Sequence, residues 1–221
     1  MINMSRIPNK KVDAEYGLEL QIPKDIENMQ LPNSTLLQFY KALKDRTFWL
    51  IGPVDDTLYD LIQYIVDWNK EDMGKPAEER KPIHLIIASG GGSLEVQKTL
   101  CAVIEMSTTP IVGVAIGMCA SAASMIYLSC HKRLATKNVT FIFHQGSCSN
   151  LEGTYQQINS FMENYRKDIQ EMSSFYKTHT NYAPNVIDSK LDNGDWYIDG
   201  TEAVKNGVCH KILTNLDEIW N

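Results

Sequence analysis

Residues 83–128 read IHLIIASGGGSLEVQKTLCAVIEMSTTPIVGVAIGMCASAASMIYL, and the order of patterns within them sets the fold class. Ile83–Ile87 is an apolar run bounded by Pro82 and by the glycines Gly90–Gly92. A short run of this kind suits a strand buried on both faces. A helix is predicted from about Leu94 to Met106, and Pro110 restarts the pattern. Ile111–Ile116 reads as a second buried strand, Gly117 as the start of a turn, and Ser121–Leu128 as a helix. Strand, helix, strand, helix in this order predicts an α/β domain with a largely parallel sheet and right-handed crossovers. The longest apolar stretch, Ile111 to Leu128, is long enough to suggest a membrane span. The glycines and serines inside it (Gly113, Gly117, Ser121, Ser124) favour a buried strand followed by a buried helix.

The flanks extend the alternation. Thr47–Ile51 reads as a strand ended by Gly52-Pro53. Asp55, Asp56 or Thr57 can cap a helix whose apolar face is Leu58, Leu61, Ile62, Ile65 and Trp68. Asn69–Pro82 is charged, carries Gly74, Pro76 and Pro82, and is expected to be a surface loop. Val139–Phe143 is a further strand with His144 at its end. Tyr155, Ile158, Met162, Tyr165, Ile169, Met172 and Tyr176 then recur at steps of three and four. They predict a long amphipathic helix within about 150–182 that ends before Pro184 and projects from the α/β body. The tail predicts a short strand at Tyr197-Ile198, a helix from Thr201 to Asn206 ended by Gly207, and a last strand from Val208 to Leu213.

Residues 35–221 are expected to form a single domain, with a short helix at Leu36–Leu43. Residues 1–34 are broken by Pro8, Pro23 and Pro32, show no sustained apolar period, and are expected to form an arm. Met1–Lys11 has no apolar core of a secretory leader. The formal net charge of −6 argues against a nucleic-acid-binding surface. The five cysteines are odd in number and lack C-x-x-C spacing, so neither a disulfide framework nor a zinc site is suggested. That usage fits a reducing cytoplasm.

The chemistry lies in four places. Ser121 sits at a strand-to-helix turn, where free backbone N–H groups and the positive end of the helix dipole could stabilise an oxyanion. Serine is also an ordinary helix cap. Ser124 is a rival nucleophile, although three residues on it would pack inside the helix. His144 at a strand end could accept a proton near neutral pH, but strand-end histidines are commonly structural. A carboxylate could orient the imidazole, and Asp192, Asp195 and Asp199 all compete for that task. The run Ser89-Gly-Gly-Gly-Ser93 could present N–H groups to a ligand; it matches neither phosphate-binding glycine motif.

Taken in order, these motifs resemble the Clp protease proteolytic subunit, from about Phe48 to Leu213. Phe48-Trp-Leu-Ile-Gly-Pro-Val-Asp-Asp56 resembles the family's first strand and turn. Ile86-Ile-Ala-Ser-Gly-Gly-Gly-Ser93 is similar to its glycine loop, Gly117-Met-Cys-Ala-Ser121-Ala to its nucleophile turn, and Phe143-His-Gln145 to its histidine motif. Asp195-Trp-Tyr-Ile-Asp-Gly-Thr-Glu-Ala-Val204, followed by Gly207, resembles the family's aspartate motif and selects Asp195 among the three carboxylates. The resemblance implies a spiral of βαβ units with a protruding handle helix, the fold shared with crotonases. It implies Ser121, His144 and Asp195 as catalytic triad, and the N–H groups of Gly91 and Ala122 as oxyanion hole. It also implies a homo-oligomer of two stacked heptameric rings, a tetradecamer, fed with polypeptide by an AAA+ unfoldase. No metal or organic cofactor is expected, and no nucleic-acid or membrane partner.

Four departures stand out: Gly90 for the proline before the paired glycines, Met118-Cys119 for Gln-Ala, Gly146 for the proline after His-Gln, and Gly194 for an arginine that makes ring-to-ring ion pairs. They keep open a catalytically silent subunit of a mixed ring. A crotonase-type acyl-CoA enzyme would not need the triad. A membrane-associated signal-peptide peptidase relative would use a Ser–Lys pair.

Overall fold

The structure is a computed structural model that describes residues 34–148 and 151–220. The expected N-terminal arm lies outside the described residues, apart from Ser34. The chain divides between Tyr40 and Lys41, and the sheet belongs wholly to the unit that begins at Lys41.

After helix α1 (Ser34–Lys44), strand β1 (Thr47–Ile51) leads through a 3-10 turn into helix α2 (Tyr59–Glu71). Asp55 caps that turn, its carboxylate accepting from the Thr57 N–H. Leu58, Leu61, Ile65 and Trp68 are buried, as their spacing predicts. Then follow β2 (Ile83–Ser89), α3 (Leu94–Met106), β3 (Ile111–Ala120) and α4 (Ala122–Ser129). The remaining elements are β4 (Lys132–Ala135), β5 (Thr140–Phe143), α5 (Tyr155–His179), α6 (Pro184–Asp192), β6 (Trp196–Asp199), α7 (Gly200–Lys205) and β7 (Lys211–Ile212). The expected surface loop at 69–82 begins later, because α2 runs on to Glu71. The last strand is shorter than Val208–Leu213. Two elements were not anticipated: β4, which is only four residues long, and α6, whose Pro184 occupies the first turn, where a missing N–H costs nothing.

The sheet runs β1-β2-β3-β4-β7 with every pair parallel; β5 joins β3 in parallel and pairs β6 antiparallel. One strand holds this together. The first half of β3, Val112–Ala115, pairs β4, whereas Met118–Ala120 pairs β5. On its other edge the register against β2 jumps: Ile87 pairs Ala115, but Ser89 pairs Cys119. Gly117 lies in the jump at φ +71°, a conformation that glycine adopts without strain. The sequence reading ended this strand at Ile116. The structure corrects it: Gly117 bends the strand and does not end it.

The core explains the unbroken apolar runs. Leu85 and Ile87 face the main cluster with Leu61, Leu100, Ile104 and Phe141. Ile86 faces the other side with Val112, Val114, Leu134 and Ile219. Every residue of α4 is buried, which is why 111–128 is as apolar as a membrane span. No helix among the described residues is long and apolar enough to cross a membrane.

Candidate active site

The junction between β3 and α4 places Ser121. Its backbone sits at φ +54°, ψ −129°, a region costly for a residue with a side chain, on the order of 1–3 kcal/mol. Neighbouring bonds impose this conformation. The Ser121 N–H donates to the Ile142 carbonyl at 2.9 Å, and its own carbonyl accepts from the Ser124 N–H at 2.9 Å and the Ser124 hydroxyl at 2.6 Å. Ser124 is fully buried, its hydroxyl held within the helix and near Tyr176, so it props the turn and does not face the cavity described below. Packing sets the two serines apart: Ser121 lines that cavity and Ser124 does not.

Strand pairing brings the histidine. Ala120 pairs Ile142, so the residues just past the two strands, Ser121 and His144, lie side by side. His144 Nε2 is 2.5 Å from Ser121 Oγ. The antiparallel pair Phe143–Trp196 then brings Asp195 opposite His144. Its carboxylate stands 3.6 Å from His144 Nδ1, an ion-pair distance that is too long for a good hydrogen bond. The other two carboxylates are occupied elsewhere. Asp192 accepts from Gln145 Nε2 at 2.8 Å, and Asp199 caps α7 by accepting from the Glu202 N–H at 2.8 Å.

The glycine loop covers the serine. A Cβ on Gly91 would lie 2.6 Å from Ser121 Cβ and 2.8 Å from the Ala120 carbonyl oxygen, so no side chain fits there. A Cβ on Gly92 would strike the Val54 carbonyl. The loop is stitched to the segment after β1: the Val54 N–H donates to the Gly91 carbonyl at 2.9 Å, and the Ser93 N–H to the Val54 carbonyl at 2.7 Å. The Gly91 N–H donates to Ser89 Oγ at 3.1 Å. The Ala122 N–H opens α4 directly beneath Gly91.

Beside these groups lies a cavity of about 330 Å³, walled by Leu94, Met125, Tyr165 and Met172 as well as by Ser121 and His144. Sequence reasoning did not assign these walls. Tyr165 and Met172 belong to the apolar stripe of α5, which therefore serves the cavity as well as the core. Lys98 holds that stretch of α5 on α3 through Asp168 and Glu171, each at 2.6 Å. Gly146 lines the cavity at φ +82°, which proline cannot reach. Among the described residues no cluster of His, Cys, Asp and Glu could hold a metal ion.

The sequence and the fold have counterparts. The sequence matches the Clp protease family over residues 33–216. It is 28% identical to the ATP-dependent Clp protease proteolytic subunit 2 of Pseudomonas aeruginosa over 187 residues, covering 80% of this chain and 86% of that one. The backbone superposes on a mutant of ClpP1 from Listeria monocytogenes with a TM-score of 0.69 and 21% identity, covering 82% of this chain and 99% of that one. The likeness to that structure speaks for a shared fold, and the match through residues 33–216 speaks for shared descent. The chain belongs to the Clp protease family.

Proposed function

We propose that this chain is a serine endopeptidase subunit, with Ser121 as nucleophile, His144 as general base and acid, and Asp195 as the group that orients the imidazole. One observation carries the reading: a serine in a strained turn, 2.5 Å from the imidazole of a strand-end histidine. With the imidazole proton on Nδ1, the Ser121 hydroxyl donates to Nε2 and can be deprotonated as Oγ attacks a peptide carbonyl. The N–H groups of Ala122 and Gly91 would hold the oxyanion. His144 then passes the proton to the leaving amine, and water, activated by the same imidazole, releases the acyl group. The reaction needs no metal or organic cofactor.

The apolar stripe of α5 supports the assembly part of the proposal. Tyr155 is 75% exposed and Met162 40%, although their seven-residue spacing is that of a packed face. Burial of this face between two stacked rings, seven subunits each, would explain it. An AAA+ unfoldase feeding polypeptide into such a cytoplasmic chamber completes the reading.

A fluorophosphonate probe tests the chemistry. A single adduct mapped to Ser121, absent from Ser121→Ala, is the expected result. A well-folded chain that takes no adduct removes Ser121 from its role and favours a silent subunit. The 3.6 Å separation of Asp195 from His144 is the observation on which that second reading rests.

A further inference from the structure

The Gly91 N–H is one of two groups assigned above to the oxyanion, yet in the resting chain it already has an acceptor. It donates to Ser89 Oγ at 3.1 Å. Ser89 ends β2, is 2% exposed, and is anchored by its pairing with Cys119. Its hydroxyl is therefore an internal acceptor held two residues from the donor, a local side-chain-to-backbone turn.

The rest of the loop is fixed differently. The Gly91 carbonyl and the Ser93 N–H are both committed to Val54. The peptide between Gly90 and Gly91 is tied at its N–H only to a hydroxyl that can rotate. Both flanking residues lack Cβ, and Gly91 sits at φ +95°, where a change of sign in φ meets no side-chain barrier. Gly90 is also unobstructed, since a Cβ there would meet only the Met118 sulfur, at 3.9 Å.

We propose that Ser89 is a positioning residue that latches the oxyanion donor. At rest its Oγ accepts the Gly91 N–H. As the substrate carbonyl becomes an oxyanion, the Gly90–Gly91 peptide turns and the N–H passes from Ser89 Oγ to that oxygen. The inference rests on Ser121 being the nucleophile only for its kinetic part; the latch itself is a property of the resting chain. Its energetic consequence has a definite sign. The latch stabilises the ground state and is absent from the transition state, so it slows the chemical step. Removing the acceptor leaves a buried donor unsatisfied until the oxyanion forms.

Ser89→Ala in the full chain tests this by two independent readouts. The first is amide hydrogen exchange at Gly91, resolved by mass spectrometry with residue-level fragmentation. The latch requires slow exchange at Gly91 in the parent and at least about tenfold faster exchange in Ser89→Ala, with Ser93 unchanged. Equal exchange in the two proteins overturns the latch, whatever the activity. The second is the rate of Ser121 labelling by a fluorophosphonate, with kcat and KM for a peptide substrate. We expect labelling and kcat to rise about fivefold, KM to hold, and the melting temperature to fall. A merely structural serine would give a lower melting temperature with unchanged or lower kcat, which overturns the kinetic role. If neither protein is labelled, the peptidase reading fails, and the exchange measurement alone decides the latch.

Discussion

The two nitrogens of His144 face differently built surroundings. On the Nε2 side, Ser121 is fixed by bonds to β5 and α4 and sits 2.5 Å away, beneath a glycine loop that leaves no room for a side chain. On the Nδ1 side, Asp195 stands 3.6 Å away with a side chain 57% exposed, next to a glycine at φ +106°. Ser121, the proposed nucleophile, is placed by the core, and Asp195 by a surface turn. A core-built junction resists displacement because any shift disturbs close packing. An exposed carboxylate is set by local torsions and by whatever packs on it in an assembly.

The largest effect should come from the core side. Gly91→Ala places a methyl group against Ser121 and the Ala120 carbonyl. Turnover should fall by about 10³-fold, combining displacement of the serine with loss of an oxyanion donor. Retained fluorophosphonate labelling in that variant would mean that the junction yields more readily than its packing implies. Asp195→Asn probes the open side. Removing the orienting carboxylate of an established triad costs about 10⁴-fold. At an exposed site beyond good hydrogen-bond distance we expect about 10²-fold, with little change in melting temperature. A full 10⁴-fold loss would show that the carboxylate closes on the imidazole during turnover, and the contrast between the two sides would then hold only at rest.

A second carboxylate provides the opposite extreme of exposure. Asp72 is inaccessible to solvent and bonded to Arg46, Lys75 and Thr109. The Arg46 guanidinium, with help from Lys75 and Thr109, holds its carboxyl far below the usual range against the opposing effect of burial. A carboxyl whose folded pKa is depressed stabilises the fold above its unfolded pKa and loses that contribution as pH falls toward the folded value. Asp72→Asn should therefore cost about 3 kcal/mol at pH 7. The difference from the parent should begin to shrink below about pH 4. Denaturant titrations at pH 7 and pH 3 check this. A difference that stays constant between those two values would assign the effect to packing and not to charge.

The contrast between core and surface also explains what could be read from the sequence. The buried strands and α3 were legible because continuous apolar runs and helical spacing record burial directly. Ser121 and His144 were legible as candidates because each lies at the end of such an element. What was missed depends on pairing between distant segments. The bend at Gly117 follows from β3 changing partners from β4 to β5, and nothing within residues 111–120 announces that. The four-residue β4 carries too short a pattern to declare itself. Asp192, Asp195 and Asp199 could not be separated by local logic, because their tasks are set by Gln145, His144 and the Glu202 N–H respectively. Only the resemblance chose among them. The Gly91 N–H was foreseen as a donor, but its present acceptor, Ser89, was not.

The smallest effect concerns the turn that carries Asp195. Gly194 has open space around its Cα, so Gly194→Ala meets no neighbour and tests torsion alone. At φ +106° an alanine is strained by about 1 kcal/mol. The turn can relieve that strain only by rotating, and rotation moves the adjacent Asp195. The melting temperature should fall by a few degrees, and labelling of Ser121 should slow by roughly threefold, equivalent to less than about 1 kcal/mol at the transition state. The two readouts separate the possible causes. Lower stability with unchanged labelling would mean that Asp195 does not depend on its turn, so the open side would be open by design of the carboxylate and not of the backbone. Slower labelling in step with lower stability would place the control of the Nδ1 side in a single surface torsion.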